Sequence, residues 1–568
     1  MRNILIKTAV AGFLCLGLAS CADDLNISSI DPQSSPSYDA DGLLAKQYAT
    51  LGLTGQAGPA GKGDMSQDEG ESGFYRVIFN LQELCTDEVI WAWQTDTDIP
   101  AITNIAWNSS SVRANWAYQR LAYDITLHNQ FISEQTGKMS DDVIAEVRFL
   151  RCLNYYYFLD LFHKAPFKDT FDSELPVEKT GKDLYDWIDK ELTAIEPQLK
   201  EVGAYNDEKG FGRADRGAAY ALHARLALNS AVYTDGQVKD YKKAKDYCDK
   251  ILSSGAYALS TEAKNGFTGY EQVFMGDNDQ NTQAMKEIIF PIRQDGKKTQ
   301  EYSGSTYLVA SMRISGMPNS FTSNYWSCNF ARKNLVEKFF PKDNIPMAGE
   351  NDALKDATEE QVIAKDEELK VTTKDVINKA GDDRAMFYMG VGGGIRTLSP
   401  GKQITGFTNG ASIVKWQNRH ADGSDIHDGT FMDTDIPLFR LAEIYLTRAE
   451  ANYRLGNTTD ALADIQTIQK RANRKEISGA VDEQTLIDEW CREFYVEGRR
   501  RSDLIRFGLF SGSKYLWDFK GGVAGGFGIE SKFNVYPIPV TDIAGNPNMT
   551  QNLITNLSKS GILRNKEL

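Results

Sequence analysis

Trp91 and Trp93 open the search for chemistry, because they stand two residues apart in Ile90–Asp98, IWAWQTDTD. In an extended chain, residues two apart share a face, so the two indoles would lie side by side. On a helix they would point to nearly opposite sides. Acidic residues downstream and Pro100 argue against a regular helix here. The stretch reads as a loop or short strand that presents flat aromatic surface. The plain alternative is that both Trp are core residues.

The other motifs carry less. Asp277-Asn278-Asp279-Gln280-Asn281 begins like a calcium loop, but Thr282 replaces the sixth-position Gly and Ile288 the twelfth-position Glu. That excludes an EF-hand. It leaves an irregular calcium site, completed by Asp433 and Asp435 of the DTD run, against a solvated turn. Gly390–Gly394, GVGGG, lacks the Lys-Ser/Thr of a phosphate loop. The five His show no i,i+4 pair and no HExxH, which argues against a zinc hydrolase. A glycosidase needs two carboxylates flanking one bond; among 78 acidic residues no local signature selects a pair. Glu493, Glu497, Arg499, Arg500, Arg501, Asp503 and Arg506 read as structural ion pairs that stabilise a helix and pin its end to a neighbour.

The chain begins MRNILIK and continues TAVAGFLCLGLASC. Charged Arg2 and Lys7 precede an apolar run, Thr8–Ala19, too short to span a bilayer: a secretory signal over 1–20. Small residues before Cys21 resemble a bacterial lipobox, in which Cys21 becomes a lipidated N-terminus. Acyl chains, at ~0.8 kcal/mol per buried methylene, then hold the protein on a membrane. The Ser- and Asp-rich run over 21–40 reads as a tether. The net charge of −15 and pI of about 5.0 argue against nucleic acid as a partner. Of seven Cys, Cys15 leaves with the signal and Cys21 is the lipidated residue; the other five show no CxxC and read as buried thiols.

The elements that must position these residues are mostly helical. Helical spacing runs through Ser111–Glu134, Ser140–Phe162 and Asp183–Ile195. Ser140 reads as an N-cap, and Tyr155-Tyr156-Tyr157-Phe158 wraps every side of its helix, which predicts burial between others. GRADRGAAYALHARLALNSAVY followed by DYKKAKDYCDKILSSG pairs small residues with large ones, a tetratricopeptide-like pattern. It returns as DIPLFRLAEIYLTRAEANYRLG and NTTDALADIQTIQKRANR. The expectation is one domain over 41–568. A scaffold of helix pairs, about 41–254 and 435–510, carries an irregular, loop-rich binding region over about 255–434.

Taken together, AEVRFLRCLNYYYFLDLFHKAPF, GRADRGAAYALHARLAL, FRLAEIYLTRAEANYRLG, REFYVEGRRRSDLIRFG and YPIPVTDIAGNPNMTQN, with the lipobox, resemble the SusD/RagB family of Bacteroidetes outer-membrane glycan-binding lipoproteins. In loops the likeness is to its starch-binding members: QDEGESGFYR, TDEVIWAWQ, PIRQDGKKT, GSTYLV, YWSCNFAR and GASIVKWQN. The resemblance implies a cell-surface lipoprotein that holds starch or maltooligosaccharide over a SusC-like TonB-dependent transporter and is not an enzyme. It implies aromatic platforms at Trp91, Trp93, Tyr302 and Trp326, with polar partners Asp68, Arg76 and Asp96. Asp96 stands where the starch binders have Asn, and an ionised Asp accepts from a hydroxyl but cannot donate. The C–H face of a glucose ring buries about 50 Å² on one indole, about 1 kcal/mol. Millimolar binding needs about 4 kcal/mol, so several platforms must act together. Two alternatives stand beside this reading: the same scaffold for another polysaccharide, and a tetratricopeptide-like protein–protein scaffold.

Overall fold

The computed structural model describes residues 39–552, apart from 56–57, 59–62, 66–69, 208, 316, 318–320, 341–343, 351–353, 355–356, 359, 363, 365–371, 391–395 and 405–406. Contacts separate Met1–Ala45 from Lys46–Leu568. Helix α1, Ala40–Gly52, contains that boundary, and the architecture that follows is that of the second unit.

The scaffold is mostly α. After α2, Phe74–Glu83, and the short α3, Ile99–Thr103, come α4, Val112–Gln135, and α5, Asp141–Phe162. Ser111 caps α4, its hydroxyl accepting from the Ala114 N–H at 3.4 Å. Ser140 occupies the N-cap position of α5 but makes no capping bond; the first-turn acids Asp141 and Asp142 complement the helix dipole there. Tyr155, Tyr156, Tyr157 and Phe158 are all buried, because neighbours cover α5 on every side. Helix α6, Gly181–Ile195, packs Leu184, Ile188, Leu192 and Ile195 inward. Helix α7, Arg216–Leu228, is capped by Asp215, and its Ala-rich face packs on α8, Tyr241–Ser254.

Helix α8 then packs on α11, Leu441–Arg454, which pairs with α12, Thr458–Arg471. The helix pairs on either side of the long insertion are thus continuous in space. The DIPLFR segment departs from the helical expectation. Ile436–Arg440 is a strand, β8, paired antiparallel with β4, Ile288–Ile292. Its β-branched and aromatic residues are fully enclosed, and α11 begins at Leu441.

Within the insertion, α9, Gly304–Ser311, and α10, Thr373–Ala380, accompany three strands of a four-stranded antiparallel sheet whose remaining strand comes from before the insertion. Its order is β1 (Val89–Trp91), β5 (Asn329–Ala331), β7 (Ala411–Ile413) and β6 (Phe387–Tyr388). A hairpin of β2, Lys164–Phe167, and β3, Val177–Thr180, follows α5.

The charged cluster is structural, but it does not lie on one helix. Helix α13, Glu483–Phe494, stops at Tyr495, where Val496 (φ 53°) and Gly498 (φ 73°) turn the chain into α14, Arg500–Arg506. The partners come from across the fold. Glu493 meets Arg384, Arg440 and Arg471, and Arg500 meets Asp87, all buried. Cys85, Cys152, Cys248, Cys328 and Cys491 are buried and unpaired.

Candidate functional site

Strands β1 and β5 bring the two halves of the aromatic set together. They are antiparallel, with Trp91 opposite Asn329, so the chain leaving β1 runs beside the chain entering β5. The Ala92 N–H donates to the Cys328 carbonyl at 2.7 Å, and the Trp93 indole N–H to the Trp326 carbonyl at 2.9 Å. Residues more than 200 positions apart in sequence thereby share one edge.

Trp91 and Trp93 do not lie side by side. The strand ends at Trp91, and the chain then turns, with the Gln94 N–H on the Ala92 carbonyl and the Asp96 N–H on the Trp93 carbonyl. The same-face rule needs an extended backbone through both residues, and the turn removes it. Trp91 is 3% exposed and stacks on Tyr307 at 6.2 Å and 25°, with the Arg113 guanidinium 5.5 Å from its ring. Trp93 is 43% exposed. Asp96 accepts from the Trp91 indole N–H at 3.1 Å, so one of its oxygens orients that ring.

Tyr302 and Trp326 are half-buried, their rings 6.0 Å apart and tilted by 57°. Phe431 supports Tyr302 at 5.4 Å, and Tyr307 lies 6.5 Å from Trp326. Arg76, near the start of α2, is buried below. Its guanidinium sits 4.6 Å from the Tyr307 ring, donates to the Tyr302 carbonyl at 2.9 Å and to Glu71 at 3.3 Å. Tyr325, beside Trp326, is 43% exposed. Asp68 and Cys21 lie outside the described residues. Gly70 meets the site at a φ of +102°, where a Cβ would stand 2.5 Å from the Tyr302 carbonyl carbon. Glycine alone allows that approach.

Four members of the set escaped the sequence reading: Tyr307, Arg113, Phe431 and Phe407. Phe407 is 42% exposed and meets Trp93 edge-on at 5.0 Å and 75°. Its signal was an isolated aromatic in the polar, Gly-rich run GFTNG. Burial pushes the Cys328 thiol beneath Trp326 up to about 12, so it is a packing group rather than a nucleophile.

The four acids of the calcium reading fall into separate contacts. Asp277 accepts from the Ala421 and Asp422 N–H groups, and Asp433 from the Gly296 and His427 N–H groups and from the rings of His420 and His427. Asp279 and Asp435 share Arg293, at 2.7 and 2.8 Å. Burial pushes the carboxyls of both Asp279 and Asp435 up.

A profile described as the SusD family matches residues 286–554. Over 556 residues, 96% of this chain and 98% of the relative, the sequence is 52% identical to the starch-binding protein SusD of Bacteroides thetaiotaomicron. The chain belongs to the SusD family. A SusD-like protein, P25, from Formosa agariphila is 25% identical over 72% of each chain. Among solved structures, a SusD-like protein from Bacteroides fragilis is 18% identical. It aligns over 93% of this chain and 100% of its own, with a TM-score of 0.63. Surface glycan-binding protein A from Bacteroides thetaiotaomicron, in complex with laminarihexaose, is also 18% identical. It aligns over 90% of this chain and 98% of its own, with a TM-score of 0.61. At those identities the structures establish the SusD fold.

Proposed function

We propose that this SusD-family protein binds starch-type α-1,4-glucan oligosaccharides at a bacterial cell surface, without acting on them, and delivers them to a TonB-dependent outer-membrane transporter. The observation that carries this is the aromatic surface of Trp93, Tyr302 and Trp326: the rings of Tyr302 and Trp326 are tilted by 57° with the buried Arg76 beside Trp326, and the Trp93 indole is tied to the Trp326 carbonyl. Tilted platforms suit a chain that curves. Each contributes about 1 kcal/mol on the C–H face of a sugar, so their number matters more than any one of them. A 52% identical relative bears the name starch-binding protein, which favours starch among the glycans. In this reading Asp68, Arg76 and Asp96 supply polar contacts and Trp91 backs the platform. Cleavage over 1–20 and lipidation of Cys21 anchor the chain to the outer membrane.

Affinity electrophoresis of the mature domain in gels with and without amylopectin tests the proposal. Retardation of the wild type, lost in Trp326→Ala, is the expected result. A folded wild type that runs unretarded removes starch and turns the search to other polysaccharides. Release of reducing ends from the polymer would show an enzyme instead.

A structural calcium ion belongs to the same reading. Asp279 and the fully enclosed Asp435 face one guanidinium, Arg293, whose side chain is 40% exposed. A divalent cation beside Asp279 and Asp435 supplies the missing positive charge, while Asp277 and Asp433 keep their N–H and imidazole contacts. Millimolar Ca²⁺ is expected to raise Tm by several degrees and EDTA to reverse it, whereas an unchanged Tm removes the ion.

A further inference from the structure

We infer that Phe407 is a further platform of the glycan surface, extending it past Trp93, and that the corner these two rings form selects a chain that turns over one that runs flat. The inference rests on the α-glucan reading of the site. Phe407 exposes 42% of its surface, and the loop that presents it is fixed from beneath. Arg396, itself 1% exposed, donates to the Phe407 carbonyl at 2.6 Å and to the Gly410 carbonyl at 2.7 and 3.0 Å. Its guanidinium lies 4.2 Å from the ring of Phe330 in β5. The Thr397 N–H donates to the Thr408 carbonyl at 3.0 Å and the Gly410 N–H to the Thr397 carbonyl at 2.8 Å. A buried guanidinium is thus used to hold a large apolar ring in solvent, an arrangement that folding alone does not favour.

Trp93 is fixed as well, by its bond to the Trp326 carbonyl. The planes of Phe407 and Trp93 differ by 75° at a separation of 5.0 Å. Sugar rings stacked on successive platforms must follow those planes, so a chain passing from Trp93 to Phe407 has to turn. An α-1,4-glucan turns as it runs. A β-1,4-glucan is a flat ribbon and suits coplanar platforms. Phe407 meets Trp93, which in turn is tied to Trp326, so a chain that occupies Phe407 as well as the other three platforms must be longer than one that fills those three.

Calorimetric titration of the mature chain with maltotriose, maltoheptaose and cellohexaose, for wild type and Phe407→Ala, tests this. Loss of one platform should weaken maltoheptaose about 5-fold and maltotriose less than about 2-fold, with Tm unchanged. Wild type should prefer maltoheptaose to cellohexaose. Wild type that binds maltoheptaose, with Phe407→Ala binding it equally, overturns the platform and leaves the site standing. Equal weakening of both maltooligosaccharides assigns Phe407 a supporting role through Trp93 and also overturns it. Cellohexaose bound as tightly as maltoheptaose removes the selection by curvature. A folded wild type that binds neither maltooligosaccharide overturns the α-glucan reading, and this assignment with it.

Discussion

Two Trp that flank one residue, Ala92, perform different work. Trp91 lies in the core, stacked on Tyr307 and tied to Asp96, while Trp93 faces solvent. Their alanine variants should separate accordingly. Trp91→Ala removes a buried ring and leaves a cavity, at a cost of about 3–5 kcal/mol in stability. Trp93→Ala should cost about 0.5 kcal/mol or less in stability and weaken amylopectin binding about 5-fold. Urea unfolding and gel retardation on the two variants check the split. Equal stability losses would contradict the assignment of Trp93 to the surface.

The elements that build the site are short, and their positions depend on close approaches between distant segments. Strand β1 has three residues, and its pairing with β5 sets Trp93 beside Trp326. Tyr302 is held by the Arg76 bond to its carbonyl and by Gly70, pressed against the same peptide. Gly70→Ala forces one backbone away from the other and strains a residue at positive φ, about 1–3 kcal/mol. The displacement acts on the Tyr302 platform directly. The variant should therefore lose most of its retardation in amylopectin gels while still melting cooperatively. Full retardation with a lowered Tm would show that the contact is structural only.

Over the whole molecule, a buried polar and ionic layer joins α12, α13 and the segment around Arg384. Glu489 accepts from Arg384 at 2.7 Å, Arg492 at 2.7 Å and Gln469 at 3.0 Å. Burial alone would raise its carboxyl, but Arg384 and Arg492 outweigh that and hold it at about 2. A carboxylate with a depressed folded pKa contributes stability above its unfolded value of 4.5, and that contribution disappears as pH falls through the folded value. Glu489→Gln should cost about 3–5 kcal/mol at pH 7, because it leaves buried guanidinium charge uncompensated. The gap in urea midpoint between variant and wild type should narrow as pH falls from about 4.5 toward 2. A gap that stays constant down to pH 2.5 would place the cost in packing.

Sequence alone determined the helices, since their periodicity, caps and small-to-large pairing are local properties. The helical runs Ser111–Glu134 and Ser140–Phe162 and the all-round apolar α5 were legible for that reason, although Ser140, read as a cap, makes no capping bond. It also separated structural charge from chemistry in the Glu493–Arg506 run, because mixed signs in such density need partners. Its errors came where backbone direction changes within two or three residues. The end of β1 at Trp91, the strand Ile436–Arg440 and the break at Val496 all depend on partners far along the chain. The aromatic surface was legible in its residue types, Trp93, Tyr302 and Trp326, but not in its geometry. Which indole is exposed, and that Phe407 meets it edge-on, was decided by the register of β1 on β5 and by the bonds of Arg396. Exposure is set by long-range pairing, and a local pattern carries no information about a partner more than 200 residues away.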